Sequence, residues 1–163
     1  MSAIDDMLQA NQQYVAGFSK GGMSAPPARG VAVVCCMDAR IDPARSLGLE
    51  EGDAHVIRNA GGRVAEALRS LAISQELLGT REVAIIHHTD CGMLTFSDTD
   101  IRTRLRTSLG ADADHIAFLP FTDLDGSVRD DLALYRASSI VRQDIPVRGF
   151  VYDVYTGGLR EVS

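Results

Sequence analysis

A chain of 163 residues, 45% hydrophobic and 23% charged, is long enough to bury one sizeable core and too apolar to be disordered. Its net charge of −6 and pI near 5.1 come without a basic stripe or polybasic run, which excludes the electrostatic footprint of a nucleic-acid or anionic-membrane binder. The longest apolar runs are strand-sized, and the opening MSAIDDMLQANQQY has neither a basic n-region nor a continuous apolar core, so the expectation is a soluble, cytoplasmic protein without a secretory leader.

In chain order, Ile4, Met7, Leu8, Val15 and Phe18 fall at helical spacing over residues 2–18, and Ser2 with Asp5 resembles a capping box. A Gly/Pro-rich connector follows over 19–30, so residues 1–22 read as a helical arm that packs on its own domain or reaches across to a second subunit. VAVVCCM (31–37) is the β-branched run of a strand buried on both faces, and HVIRNA (55–60) and VAIIHH (83–88) read as two more. Between the last two, residues 64–79 have helical periodicity and end at Gly79, a C-cap residue. Ser97 opens a polar helix over 98–108, and residues 124–138 form another. IAFLPF (116–121) is ambiguous, because Pro120 disfavours a central strand. RGFVYDV (148–154), Thr156-Gly157-Gly158 and LREV (159–162) close the chain as a strand hairpin. Strands alternating with helices predict one α/β domain over 1–163: a mostly parallel central sheet flanked by helices, with an N-terminal helical arm and a C-terminal strand hairpin.

In such sheets chemistry gathers beyond the carboxyl ends of the strands. Two of these strands end in potential metal ligands, one in Cys36-Met37-Asp38-Ala39-Arg40 and the other in His87-His88-Thr89-Asp90-Cys91-Gly92. If those strands are neighbours, one soft cation can bridge them. Zinc suits thiolate plus imidazole, and three protein ligands leave a position for water. Three cysteines are too few for a disulfide framework, so each thiol is a core residue, a nucleophile or a ligand.

Cys36-x-Asp38-x-Arg40 followed by His88-x-x-Cys91-Gly92 resembles the zinc signature of the β-class carbonic anhydrases, and CMDAR, RNAGG (58–62) and HHTDCGM resemble its small prokaryotic branch. The resemblance is densest over 30–95. It implies Zn2+ held by Cys36, His88 and Cys91, with Cys35 in the core and His87 a satisfied neighbour. The implied activity is reversible hydration of CO2 to bicarbonate and a proton.

Two thiolates cancel the formal charge of zinc and make it a weaker acid than a zinc on three imidazoles. Asp38 is therefore expected to assist as acceptor from the metal's water. Arg40 is expected to hold that carboxylate by a charge-assisted fork, turned away from the metal. If the fork breaks, Asp38 can become a fourth ligand and block water; an open site at neutral pH is the expectation. Gly92 is expected to allow close backbone approach and leave an amide facing the bound anion, and residues 59–62 to line the crevice. The segment 24–34 lacks the Gln that plant-type members place there, and the chain has no Trp for the bicarbonate pocket of some members. His55 and His115 are the candidate proton carriers. The resemblance also implies a homodimer or dimer of dimers. Carbonyl sulfide or carbon disulfide hydrolysis on the same zinc is the alternative activity, and a non-catalytic zinc-stabilised interaction or sensor domain the alternative of a different class.

Overall fold

A computed structural model of the chain describes residues 2–163; Met1, the first residue of the expected arm, lies outside them. The strands are β1 (Val31–Cys36), β2 (Ala54–Asn59), β3 (Glu82–His88), β4 (Val147–Tyr152) and β5 (Leu159–Val162), in the order β2-β1-β3-β4-β5. All pairings are parallel except β4 with β5, which form the predicted terminal hairpin. The helices are α1 (Ala3–Ala16), α2 (Pro43–Leu47), α3 (Val64–Leu78), α4 (Asp98–Leu109) and α5 (Leu124–Ala137).

Alternation along β1 sorts its side chains between two layers. Ala32 and Val34 pack with Ile85 and Val151 against Val64, Ala67 and Leu71 of α3 and Val128, Leu132 and Tyr135 of α5. Val33 and Cys35 lie on the other face with Ile86, against Leu47, Leu49 and Phe150. Each fully buried Leu or Val of this core contributes about 1.5–3 kcal/mol relative to exposure.

Gly79 caps α3 in the left-handed conformation, as its sequence position predicts. Residues 116–121 form no strand: Leu119 has a φ of 60° just before Pro120, and the segment is irregular. The short helix α2 has no counterpart among the predicted elements. Its signals are present, since Asp42 accepts from the Arg45 amide, Pro43 stands in the first turn and Gly48 ends it left-handed. Five residues are simply too few to display a periodicity.

The arm helix α1 carries the predicted capping box, with Ser2 Oγ accepting from the Asp5 amide and Asp5 accepting from the Ser2 amide. None of its side chains is buried. Polar contacts tie its end to the domain: Tyr14 donates to Glu51 at 2.8 Å, and Lys20 pairs with Glu51 at 2.7 Å. The apolar stripe does not pack on its own domain. Ile4, Met7, Leu8, Val15 and Phe18 are all at least half exposed.

Candidate metal centre

Strands β1 and β3 are neighbours, with Cys35 level with Ile86, so the ends carrying Cys36 and His88 open side by side. Cys36 Sγ, a ring nitrogen of His88 and Cys91 Sγ lie within 4.8 Å of one another, and all three residues are buried. They sit in an apolar cluster with Ile41, Met93 and Phe121.

The donor set fits a soft divalent cation by three observations. Two sulfurs and an imidazole are the preferred ligands of zinc. His88 Nδ1 lies 2.9 Å from the Thr89 carbonyl, which fixes its proton there and leaves the Nε2 lone pair free. That Nε2 is buried without a hydrogen-bond partner, a state costing on the order of 1–3 kcal/mol unless something occupies it.

The two thiols share a proton unequally. Cys36 is held below the ordinary thiol range, chiefly by the Cys91 thiol, then by His88 and the backbone amides of Asp38 and Gly61. Cys91 is pushed up because it is the donor in that pair and because it is buried. The Gly61 amide donates to Cys36 Sγ at 3.3 Å. Cys35, on the opposite face, is pushed up to about 11 by burial and remains a core thiol.

The chain approaches closely behind Cys36. A Cβ at Gly62 would stand 2.9 Å from the Cys35 carbonyl carbon and 3.0 Å from the Cys36 nitrogen, and its φ of 70° is left-handed, so only glycine fits. Arg58 reaches back from β2 to donate to the carbonyls of Cys36 (3.0 Å) and Asp38 (2.8 Å), fixing the backbone that carries both. At Gly92, by contrast, a Cβ would meet open space and φ is not left-handed, so the chain's own packing does not demand glycine there.

At the mouth, Arg40 forks onto Asp38, Nε to Oδ1 at 3.0 Å and Nη2 to Oδ2 at 2.8 Å, and its backbone amide adds a bond at 2.9 Å. This guanidinium holds the Asp38 carboxyl well below the usual carboxylate range. Asp38 Oδ2 remains 3.9 Å from His88 Nε2. Arg40 also bonds Asp90, Nη1 to Oδ2 at 2.7 Å and Nη2 to the carbonyl at 2.9 Å.

Beneath the site His87 turns to α5, with Nδ1 2.7 Å from Ser127 Oγ and Nε2 3.0 Å from Asp131. Asp131 also accepts from Arg63 and from the Val64 amide, both at 3.1 Å. Phe121 stacks on His87, and Arg63 lies over the same ring. His87 is satisfied, as the sequence reading expects, but its partners Ser127, Asp131 and Arg63 are absent from that reading. The cluster's signal is a charged residue, Asp131, on the apolar stripe of Val128, Leu132 and Tyr135. Of the two candidate proton carriers, His55 lies away from the Cys36 end of the sheet. His55 is level with Ala32, four residues (about 13 Å) back along β1, and bonds Ser74; His115 is exposed.

Comparison with known proteins decides the family. The carbonic anhydrase family profile matches residues 31–116. Beta-carbonic anhydrase 1 of Mycobacterium tuberculosis is 46% identical over 166 residues, covering 100% of this chain and 99% of the relative. The chain belongs to the β-carbonic anhydrase family. A crystal structure of the carbonic anhydrase from Streptococcus mutans, also 46% identical, superposes with a TM-score of 0.95 over 100% of this chain and 99% of that one. Carbon disulfide hydrolase of an Acidianus strain is a more distant relative, 31% identical over 97% of this chain and 88% of its own. As a β-carbonic anhydrase the chain is a lyase on a five-stranded, mostly parallel sheet.

Proposed function

We propose that this chain interconverts CO2 and bicarbonate with a zinc ion held by Cys36, His88 and Cys91. The observation that carries the reading is the buried thiolate–imidazole group with an orphaned His88 Nε2, set beside an Asp38 locked in the Arg40 fork. Zinc bound there supplies hydroxide near neutral pH by lowering the pKa of water.

The residues around it do the rest. Asp38 stays ionised because Arg40 bonds both its oxygens, which makes it a strong hydrogen-bond acceptor and a weak base; it orients water rather than storing a proton. The same fork keeps the carboxylate from ligating, which leaves the fourth position open at neutral pH. Ile41, Met93 and Phe121 give the cluster apolar walls suited to a small neutral gas. The Gly92 amide is the candidate to face the bicarbonate, with no side chain of its own in the way.

Stopped-flow CO2 hydration with metal analysis on the same sample tests the reading. Cys36→Ser and His88→Ala are expected to lose zinc and activity together, while Cys35→Ser keeps the metal; the reverse pattern would sink the assignment. Because carbon disulfide hydrolases are relatives, carbon disulfide and carbonyl sulfide turnover on that sample decides between substrates.

The exposed stripe of α1 supports a homodimer in which the arm of residues 1–22 lies on the partner, itself able to pair into larger multiples. Sedimentation of the full chain as a monomer would contradict this. Three free cysteines, two of them in the ligand pair, suit a reducing cytoplasm. No helix among the described residues is long and apolar enough to cross a membrane.

A further inference from the structure

Arg40 is a surface residue, nearly half exposed, and an exposed carboxylate–guanidinium pair is by itself a weak restraint. A fork onto Asp38 alone would leave the long side chain free to swing with its partner. Here the guanidinium has a second anchor. Nη1 donates to Asp90 Oδ2 at 2.7 Å and Nη2 to the Asp90 carbonyl at 2.9 Å, so one residue grips Arg40 through side chain and backbone together. Asp90 has a φ of 53°, a left-handed conformation that Asp tolerates better than most residues. The two anchors belong to different strand ends. Asp38 lies two residues beyond Cys36 and Asp90 immediately before Cys91, so Arg40 straps together the two segments that bear the ligands.

We propose that Asp90 is a positioning residue of this site: by holding Arg40 in place across the two strand ends, it keeps the Asp38 carboxylate turned away from the metal position. The inference rests on the proposed zinc reading. Asp38 has two places to go, the Arg40 fork and the metal, and Asp90 biases the choice without touching either substrate or metal. Removing its charge loosens Arg40 and raises the share of molecules in which Asp38 closes the site. The shift is on the order of fivefold, the ratio an exposed pair supports at the upper end of its range.

Azide affinity of the cobalt-substituted protein at pH 7, read from the cobalt absorption bands, measures the share of open sites independently of turnover. Two variants separate the parts of the contact. Asp90→Asn keeps the side-chain shape and tolerance of the left-handed conformation but removes the charge; Asp90→Gly keeps the backbone carbonyl and eases that conformation. Both are expected to retain one metal per chain and to raise the closed-to-open ratio about fivefold, read as weaker azide binding relative to the Asp38→Ala protein, whose sites cannot close in this way. In an Asp38→Ala background, Asp90→Asn is expected to change azide affinity less than about twofold, because the effect passes through Asp38. Unchanged azide affinity in both variants, or an equal effect with and without Asp38, would overturn the proposal. Loss of metal in both would also overturn it, since Asp90 would then be holding Cys91. A wild-type protein that takes up neither zinc nor cobalt would instead refute the underlying zinc reading, and it would do so before any variant is made.

Discussion

Two arginines in this molecule each hold a carboxylate beside the same pair of strand ends, and they differ chiefly in burial. Arg63, with 12% of its side chain exposed, meets Asp131 at 1%, and Asp131 also takes His87 and a backbone amide. Arg40, 46% exposed, meets Asp38 and Asp90 at the mouth. In the first cluster every partner is removed from water, so the loss of one leaves another stranded and costs far more than the pair itself contributes. In the second, water stands ready to replace any partner, so the contacts govern orientation rather than stability. The inner cluster belongs to the fold, and the outer one is the cluster to which the proposed function gives the chemistry.

Asp131→Ala breaks this contrast most severely. It strands Arg63 and the Val64 amide and takes the partner from His87 Nε2, at an expected cost of about 3–5 kcal/mol in urea unfolding. Asp131→Asn, which keeps the shape, should cost roughly 1–3 kcal/mol. A loss below about 1 kcal/mol for the alanine variant would mean that the buried cluster does not hold α5 to β3.

Arg58 is exposed like Arg40 but bonds backbone rather than carboxylates, donating to the carbonyls of Cys36 and Asp38. Arg58→Ala should cost about 0.5–1.5 kcal/mol in unfolding, since water can reach the carbonyls it leaves. Competition with a chelator should find zinc affinity about tenfold lower, because the ligand-bearing backbone is no longer fixed. Arg40→Ala should change unfolding by less than about 1 kcal/mol and retain zinc, yet lower CO2 hydration by tenfold or more. If Arg40→Ala destabilises as much as Asp131→Ala, the two clusters are equivalent and the division proposed here is wrong.

Sequence reading reached the outer cluster better than the inner one, for a physical reason. Cys36, Asp38 and Arg40, like His88 and Cys91, lie within short segments at strand ends, where spacing and topology alone bring them together. Arg63 and Asp131 are joined across 68 residues, and a charge on a helix is ordinarily read as facing solvent. Asp90 sat inside a quoted motif, but its contact with Arg40 spans 50 residues and depends on how β1 and β3 end. Strands β1 and β3 were legible because burial on both faces leaves continuous apolar runs. The open face of α1 was legible only as a stripe, since periodicity cannot say what covers it.

The weakest case sharpens the comparison from the other end. Asp5, fully exposed in the α1 capping box, has its carboxyl lowered by the Ser2 backbone amide first and the Ser2 hydroxyl next. A folded value below the unfolded one means that the cap's contribution is present above the unfolded value, about 3.9, and is lost as pH falls through the folded value. An NMR titration of the Asp5 carboxyl carbon should therefore give a midpoint below that of an unstructured peptide, and Ser2→Ala, which keeps the backbone amide, should move it only part of the way back up. Within a single chain α1 buries none of its described side chains and can fray alone, so a dissociated monomer should keep its global stability. If Ser2→Ala instead lowers global stability by its full capping value, about 1 kcal/mol, the arm unfolds together with the core. Only a surface outside this chain, such as a second copy against the α1 stripe, could couple them so tightly.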